Sequence, residues 1–476
     1  MHDGMASGER WRYRRGSDVS PEARSERTDM TSESFFHQLF GSIADGGRVL
    51  IDRQLRGLAR QPGRAVADLC HALLSQRGEA SGAALAREVL LAYNDLDDAG
   101  RTAFFQHLAD EFGAEPEAIA RAADAYRQEP GTARLTALAR AVEAPRQELF
   151  RRLNMAPGGT AALVAMRQML LEQIPEQPSW RAIDADLLHL FRSWFNRGFL
   201  VLERIDWRTP AVVLEKLIAY EAVHAIDGWE DLRRRLAQDR RCFAFFHPAL
   251  PDEPLIFVEV ALVRGIAERV GPLLDRSAAV IDPASADSAV FYSINHCQVG
   301  LRGISFGNFL IKQVAAELQA ELPNLKAFAT LSPVPGFRAW LETAPSLQKM
   351  ASELLRKLDG WAPADLPDDQ ELADRLLPLC AAYLVRARRD GQLLDPVARF
   401  HLRNGARLER INWAADLSPQ GLAGSAGIMV NYVYRLDQVE RNHEDFVNKG
   451  RVVSSRRVDA LVRSAPSELA AILEDA

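Results

Sequence analysis

Long apolar runs are missing from this sequence of 476 residues. The best candidate for a membrane span, LIFVEVALV at 255–263, is short and includes Glu259, whereas a membrane-crossing helix needs about 20 apolar residues. An excess of basic charge is missing too, because 58 Lys and Arg residues stand against 64 Asp and Glu residues. We therefore expect no membrane span and no nucleic-acid binding that relies on an overall positive surface.

Cysteine pairs and metal-binding histidine motifs are also missing. The ten histidines show neither HExxH nor HxxxH spacing, so local sequence predicts no metal site. The N-terminal segment has no apolar signal core, and we expect a cytoplasmic protein. The four cysteines form no CxxC pair, which argues against a disulfide framework and a cysteine-bound zinc site; they are Cys70, Cys242, Cys297 and Cys380.

The composition divides the chain into three parts. Residues 1–30 mix arginines with acids and hold few aliphatic side chains, which predicts a disordered tail. In residues 31–190, Ala- and Leu-rich segments with helical period alternate with turn signals, which predicts an all-helical bundle. In residues 191–476, strand-like runs such as FLVLERIDW (199–207) alternate with amphipathic helices. The predicted fold class is therefore α+β, with the chemistry in the mixed α/β part.

One strand–loop–helix unit has the features of a phosphate-binding site. The strand-like SAVFYSINH (288–296) leads into VGLRGISFG (299–307), which we call the glycine loop, and the amphipathic NFLIKQVAAELQAEL (308–322) follows. Glycines let backbone amides face an anion, and the helix N-terminus adds partial positive charge. Arg302 is available to pair with a phosphate. The spacing is neither GxGxxG nor a Walker loop, so the loop alone leaves its ligand open.

Longer sequence words carry a family resemblance. The string GLRGIS (300–305) partly resembles the segment with which GCN5-related acetyltransferases grip the coenzyme A pyrophosphate. Three longer segments in chain order resemble malonyl-CoA decarboxylases: FYSINHCQVGLRGISFGNFLIKQV (291–314), ATLSPVPGFRAWL (329–341) and FHLRNGARLERINWAADLSPQGLAGSAGIMVNYVY (400–434). The resemblance covers most of residues 190–440, while the helical part is similar in character and place.

The resemblance implies a fold and an activity. In that family an acetyltransferase-like domain converts malonyl-CoA to acetyl-CoA and CO2 without metal or biotin, as part of fatty acid metabolism. A helical domain mediates self-association, so a homodimer or homotetramer is expected here. No cofactor is expected, because coenzyme A is part of the substrate.

The family's site residues correspond to positions in this chain. The proton acceptor is the serine of LSPxPGF, here Ser332, and the proton donor is the histidine of FHLxNGA, here His401. Ser293 of FYSI and Tyr434 of NYxY match residues around the family's pocket. Many members have a glutamate where this chain has serine within the loop that binds the substrate. That loop corresponds to Arg302, Gly303, Ile304, Ser305, Phe306, Gly307 and Asn308.

The chemistry explains why these residue types are needed. Loss of CO2 from a malonyl thioester leaves an enolate, which needs donors at its oxygen and a proton at its α-carbon. His401, which follows the strand-like VARF and opens a polar turn word, suits the proton transfer. Without the family words, a lone histidine or a serine before proline is more commonly structural. Candidate donors to the oxygen are Asn404 and the backbone amides near Gly405 or Gly424.

Other polar residues receive plainer interpretations. His296 and Cys297 are neighbours on a predicted strand, where adjacent side chains point to opposite faces, so a thiol–imidazole dyad is not expected. His224, in the helix-like EAVHAI, is predicted to make a structural contact beside the pocket.

Three other functions stay open from the sequence. An acyltransferase on the same fold would pass an acyl group to an amine, although no base for that amine is evident. A serine hydrolase of acyl-CoA would use Ser332 as nucleophile, although GxSxG is absent at that serine. A noncatalytic malonyl-CoA sensor is kept open by Ser305, because that position departs from the glutamate of many members.

Overall fold

Helices alone form the first part of the described chain. The computed structural model describes residues 62–76, 78–304, 310–343, 348–360 and 366–466, so the predicted tail and residues 305–309 of the glycine-loop region lie outside it. Helix starts carry the usual signals, since prolines begin α4 and α6 and the Asp97 carboxylate accepts the Gly100 N–H at α3. The helices before the first strand are α1 (Pro62–Ser75), α2 (Glu79–Asn94), α3 (Asp98–Glu111), α4 (Pro116–Gln128), α5 (Thr132–Val142), α6 (Pro145–Asn154), α7 (Gly159–Gln173) and α8 (Arg181–Trp194).

Aromatic side chains form the centre of this helical part. Phe104, Phe105 and Trp180 are buried, and the ring centroids of Phe105 and Trp180 lie 5.3 Å apart. Helices α1 and α3 approach closely at Gly63, because a Cβ there would lie 2.6 Å from the Gly100 carbonyl oxygen. The small residue thus allows the contact that closes the bundle.

A mixed sheet organises the second part. Its order is β1-β2-β3-β4-β5-β10-β6, β9 pairs with β10, and all neighbours are antiparallel except β4 and β5. Strands β2, β3, β4 and β10 are buried along nearly their whole length, which fits their apolar runs. The strands are β1 (Val201–Ile205), β2 (Arg240–Phe246), β3 (Ile256–Val263), β4 (Ser288–His296), β5 (Ala327–Thr330), β6 (Ser332–Pro333), β7 (Arg388–Arg389), β8 (Gln392–Leu393), β9 (Arg407–Asn412) and β10 (Met429–Tyr434).

Helices surround this sheet and make its crossover connections. The parallel pair β4 and β5 is joined through α12, as a parallel pair requires. The helices are α9 (Ala211–Tyr220), α10 (Gly228–Arg235), α11 (Gly271–Leu274), α12 (Leu310–Glu321), α13 (Phe337–Thr343), α14 (Gln348–Asp359), α15 (Gln370–Arg386), α16 (Pro396–Arg403), α17 (Pro419–Ser425), α18 (Val439–Lys449) and α19 (Arg456–Ser464). A helical part followed by a mixed α/β part is the arrangement predicted above. The predicted limits of those parts, 31–190 and 191–476, stay predictions.

Two irregularities lie in the middle of the sheet. The pairing of β3 with β4 skips Tyr292, which makes that residue a bulge. Between β5 and β6 the pairing with β10 is interrupted at Leu331, and side chains satisfy the backbone instead. The Asn431 amide donates to the Thr330 carbonyl at 2.8 Å, and the Thr330 hydroxyl accepts the Tyr432 N–H at 3.2 Å. Tyr292 and Leu331, the residues at the two irregularities, both line the pocket described below.

Two local predictions were wrong. VARF (397–400) is helical rather than strand-like, because the Asp395 carboxylate caps α16 and Pro396 occupies its first turn. His401 therefore lies in the last turn of a helix and not in a turn after a strand. EAVH (221–224) is not helical, since α9 ends at Tyr220 and the following loop wraps around the Glu221 carboxylate.

Candidate active site

A pocket of about 380 Å³ opens where β4, β6 and α16 meet. The predicted residues Ser293, Ser332 and His401 contribute to its wall. Most of the remaining wall is apolar, as is usual for a ligand site with a few placed polar groups. The other lining residues are Val223, Phe291, Tyr292, Ile294, His296, Leu331, Pro333, Pro396, Val397 and Phe400.

Ser332 and His401 contact each other directly in this wall. The Ser332 Oγ lies 3.0 Å from Nε2 of His401 and donates to the Thr330 hydroxyl at 2.9 Å. Both side chains are buried, and the imidazole stacks on the Tyr432 ring at a centroid distance of 4.6 Å. Pairing of β6 with β10 positions the serine, while the capped helix α16 positions the histidine. Residues 69 apart in sequence thus form one polar pair.

Tyr434 determines which nitrogen of His401 carries the proton. Its hydroxyl lies 2.8 Å from Nδ1, and burial raises the pKa of the phenol, which is therefore protonated in the resting site. Within the described chain Nδ1 is the acceptor available to this hydroxyl, so the O–H donates to Nδ1. The hydrogen-bond network therefore assigns the ring proton to Nε2, facing Ser332. Burial lowers the pKa of His401 to about 3, so the ring is neutral near pH 7.

Ser293 belongs to a buried carboxylate network behind the pocket. Its hydroxyl donates to Glu221 at 2.7 Å, and the Asn295 amide donates to the same carboxylate at 2.7 Å. The backbone N–H groups of Val223 and His224 each donate to Glu221 at 2.8 Å. His224 contributes to this network through its backbone and from a loop, and the structural contact predicted for its side chain stays a prediction. Hydrogen-bond donors surround the buried Glu221 carboxylate, and Ser293 is held in place as one of these donors.

Part of the predicted substrate loop is described. Arg302 is exposed, Ile304 is buried, and Gly303 has φ of +82°, a conformation that favours glycine. The remaining predicted residues of this loop, Ser305, Phe306, Gly307 and Asn308, lie outside the described residues.

The predicted donors to the enolate oxygen were wrong. The Asn404 amide donates to the Phe400 carbonyl at 2.8 Å, and the Gly405 N–H donates to the Leu402 carbonyl at 3.0 Å. Both groups therefore complete the end of α16. Neither residue lines the pocket, and Gly424, which lies in α17 against Pro335, does not line it either.

The adjacent pair His296 and Cys297 forms no dyad at the pocket. His296 lines the pocket, whereas Cys297 packs in an apolar cluster with Ile205 and Leu217. Burial raises the pKa of the Cys297 thiol, which is the opposite of what a nucleophile needs. Among the residues that the structure covers, no group of three or more His, Cys, Asp or Glu side chains could hold a metal ion.

Glu221, Asn295 and Thr330 were not singled out from the sequence. Glu221 begins the EAVH segment and Thr330 directly precedes the LSP motif, so both residues lie in or next to segments that the sequence analysis had named. Their roles depend on partners far away in the chain, such as Ser293, which lies 72 residues from Glu221.

Comparison with known proteins gives this arrangement a family. The malonyl-CoA decarboxylase C-terminal domain matches residues 198–472, and the N-terminal domain of the same family matches residues 112–195. The mitochondrial malonyl-CoA decarboxylase of Anser anser anser is 34% identical over 416 residues, which are 79% of this chain and 82% of that protein. The chain belongs to the malonyl-CoA decarboxylase family. The predicted family and the predicted enzyme class, a carboxy-lyase, are therefore confirmed.

Solved structures of the family agree with the fold. The malonyl-CoA decarboxylase of Rhodopseudomonas palustris is 50% identical, with a TM-score of 0.79 over 84% of this chain and 99% of that chain. The one from Agrobacterium vitis is 51% identical, with a TM-score of 0.77 over 83% of this chain and 99% of that chain. The predicted fold class is thus confirmed for this member of the family. No helix in the described ranges has the length and apolar character to cross a bilayer.

Proposed function

We propose that this protein decarboxylates malonyl-CoA to acetyl-CoA and CO2, and that its own side chains suffice for the chemistry. The observation that carries the proposal is the hydrogen-bonded chain from Tyr434 through His401 and Ser332, which reaches an apolar pocket. Such a wall disfavours the localised charge of a malonyl carboxylate more than the delocalised charge of an enolate. Placing the carboxylate there therefore favours its loss as neutral CO2.

The same chain supplies the proton that the product needs. When the bond between the α-carbon and the carboxylate breaks, its electron pair forms the thioester enolate. The Nε2 proton of His401 then passes to the α-carbon with the Ser332 hydroxyl as relay. Tyr434 donates to Nδ1 in the same movement, so the ring stays neutral. A proton from water then reaches Nε2 through Ser332 while the Nδ1 proton returns to Tyr434, so the starting tautomer is restored and one proton is consumed for each CO2 released.

The coenzyme A part of the substrate is assigned to the glycine loop. Arg302 is exposed beside Gly303, whose positive φ turns the backbone sharply. A guanidinium and nearby backbone amides are suited to a pyrophosphate. No further cofactor is proposed.

The assigned tautomer disfavours the hydrolase alternative. A serine nucleophile needs a lone pair on the histidine that faces it. Here Nε2 carries the proton, and the Ser332 hydroxyl donates to Thr330 rather than to His401. This geometry suits a proton donor in the His401 position and does not suit activation of Ser332.

The helical part offers a surface for self-association. None of the residues of α4 and α5 is buried, and the two helices pack against each other. Leu135 and Val142 are each 51% exposed. We propose that this helix pair contributes to a homodimer or homotetramer, and a Leu135→Asp variant should then have a lower mass by analytical ultracentrifugation. A cytoplasmic location and a place in fatty acid metabolism stay predictions.

The products formed from malonyl-CoA test the proposed activity. Purified protein is treated with a chelator, dialysed and given malonyl-CoA with and without an amine acceptor, and products are identified by mass spectrometry. Acetyl-CoA and CO2 formed at the same rate as by the untreated protein support the proposal. Free coenzyme A with malonate would indicate a hydrolase, an acylated amine a transferase, and unchanged malonyl-CoA a sensor.

A further inference from the structure

A buried arginine of the helical part holds the start of the glycine loop. Arg167 in α7 is 2% exposed, and its Nη1 donates to the carbonyl oxygens of Gly300 and Arg302, at 2.8 Å each. Its Nε donates to the Asp184 carboxylate in α8 at 2.7 Å. The guanidinium is thus fixed on one side by a carboxylate and on the other by two loop carbonyls.

Backbone packing holds the loop at the same place. A Cβ on Gly300 would lie 2.0 Å from the carbonyl oxygen of Val164, one turn before Arg167 in α7. A side chain at position 300 would therefore push the loop away from the helix. At Gly300 the loop backbone lies too close to α7 for a Cβ atom, and the Arg167 contact to the Gly300 carbonyl lies at the same place.

The Arg167 contacts orient one backbone amide for an anion. In a trans peptide the carbonyl and the following N–H point in opposite directions. Because the Arg302 carbonyl points toward Arg167, the Gly303 N–H points away from the helical part. That N–H has no acceptor among the described residues. The rotation about the next bond along the chain, φ of Gly303, is positive.

We propose that Arg167, held by Asp184, is a positioning residue for residues 300–303 of the glycine loop, which bind the pyrophosphate of coenzyme A. The helical part then contributes to substrate binding as well as to any self-association. This inference rests on the proposed function, because it takes the glycine loop as the pyrophosphate site. Arg167 itself touches no substrate, since it is buried behind the loop.

A truncated substrate separates this role from general stability. Malonyl-pantetheine keeps the reacting thioester and lacks the pyrophosphate and the nucleotide. In Arg167→Gln, the ratio of kcat/KM for malonyl-CoA to kcat/KM for malonyl-pantetheine should fall about tenfold, through KM for malonyl-CoA. Both substrates are measured on one preparation, so an inactive fraction of the protein cancels in the ratio.

The helical part provides a matched control. Arg146 is also a buried arginine that pairs with a carboxylate of α8, Asp186, but it makes no hydrogen bond or ion pair with residues 299–304, the described part of the glycine loop. Arg146→Gln should leave the ratio unchanged. An unchanged ratio in Arg167→Gln, or an equal fall in Arg146→Gln, overturns the inference. If Arg167→Gln does not fold, Arg167→Lys and Asp184→Asn are judged by the same ratio.

Failure of the proposed function is distinguishable from failure of this inference. If the wild-type protein does not decarboxylate malonyl-CoA, calorimetry with coenzyme A and with pantetheine replaces the kinetic ratio. Arg167→Gln should then weaken binding of coenzyme A about tenfold and leave pantetheine unaffected. Equal binding of coenzyme A by wild type and variant would overturn the inference in that case as well.

Discussion

The Tyr434 hydroxyl lies 2.8 Å from Nδ1 of His401, while Ser332 lies 3.0 Å from Nε2 of the same ring. The two contacts divide the work of the imidazole. The tyrosine side sets the tautomer, and the serine side faces the pocket and carries the proton. The Tyr434 phenol thus fixes the proton of this buried, neutral histidine on Nε2, the nitrogen that faces Ser332.

Removing the Tyr434 hydroxyl should lower kcat, because the tautomer of His401 is then no longer fixed. In Tyr434→Phe, Nδ1 loses both the donor that fixes the tautomer and the proton that keeps the ring neutral, so kcat should fall about 100-fold with little change in KM. NMR of the enzyme labelled with 15N-histidine reports the tautomer directly. The wild type should show a protonated Nε2 and an unprotonated Nδ1. A Tyr434→Phe variant with wild-type kcat would contradict the assigned role.

Acid should destabilise the fold through His401. Its pKa is about 3 in the folded protein, whereas an unperturbed histidine titrates near 6.5, so the unfolded chain binds the proton first as pH falls. Stability is therefore lost as pH falls below about 6.5, and this residue accounts for about 2 kcal/mol between pH 7 and pH 5. Urea unfolding of wild type and His401→Gln measures it. The wild type should lose more stability over this interval, and parallel pH curves would refute the assignment.

Glu221 should matter for Ser293 and for the fold. Glu221→Gln replaces one acceptor oxygen by an N–H₂ group that faces donors, so we expect a loss of about 2 kcal/mol in the free energy of unfolding. Activity should fall together with that of Ser293→Ala, because both changes release the same pocket wall. Glu253→Gln is the control, since Glu253 is a partly buried carboxylate that pairs with Lys216 away from the pocket wall. If Glu221→Gln and Glu253→Gln behave alike, the network has no special role.

Cys297 should be dispensable for the chemistry. Cys297→Ala removes a buried sulfur from an apolar cluster, which costs about 1 kcal/mol in stability and should leave kcat within about twofold. Steady-state kinetics and the rate of modification by a thiol reagent are the measurements. A large loss of kcat in a stably folded variant would indicate that Cys297 takes part in catalysis, as in a thiol–imidazole dyad with His296.

The sequence predicted those site residues that lie within short contiguous sequence motifs. Ser332, His401 and Tyr434 were named from such words, and the structure brings the three together; their chemical roles stay predictions. The helix around His401 was missed because VARF was interpreted as strand-like, while Asp395 and Pro396 were not read as a helix start. Local pattern competed with a capping signal, and the capping signal decided the structure.

Contacts between distant segments could not be predicted in this way. Glu221 meets Ser293 across 72 residues, and Arg167 meets the Gly300 carbonyl across 133 residues. No periodicity or motif links such partners, since the geometry arises only when the sheet and the helical part have folded. The polar supports behind the pocket were therefore invisible, although the pocket's own residues were not.

The most direct test of the account follows the proton into the product. Wild type, Ser332→Ala and His401→Asn, each treated with chelator, are given malonyl-CoA in heavy water, and acetyl-CoA formation is followed by mass spectrometry. Coenzyme A binding confirms that each variant is folded. The account predicts acetyl-CoA with one deuterium from wild type and rates at least about 100-fold lower from both variants. Wild-type rates from either folded variant would contradict it.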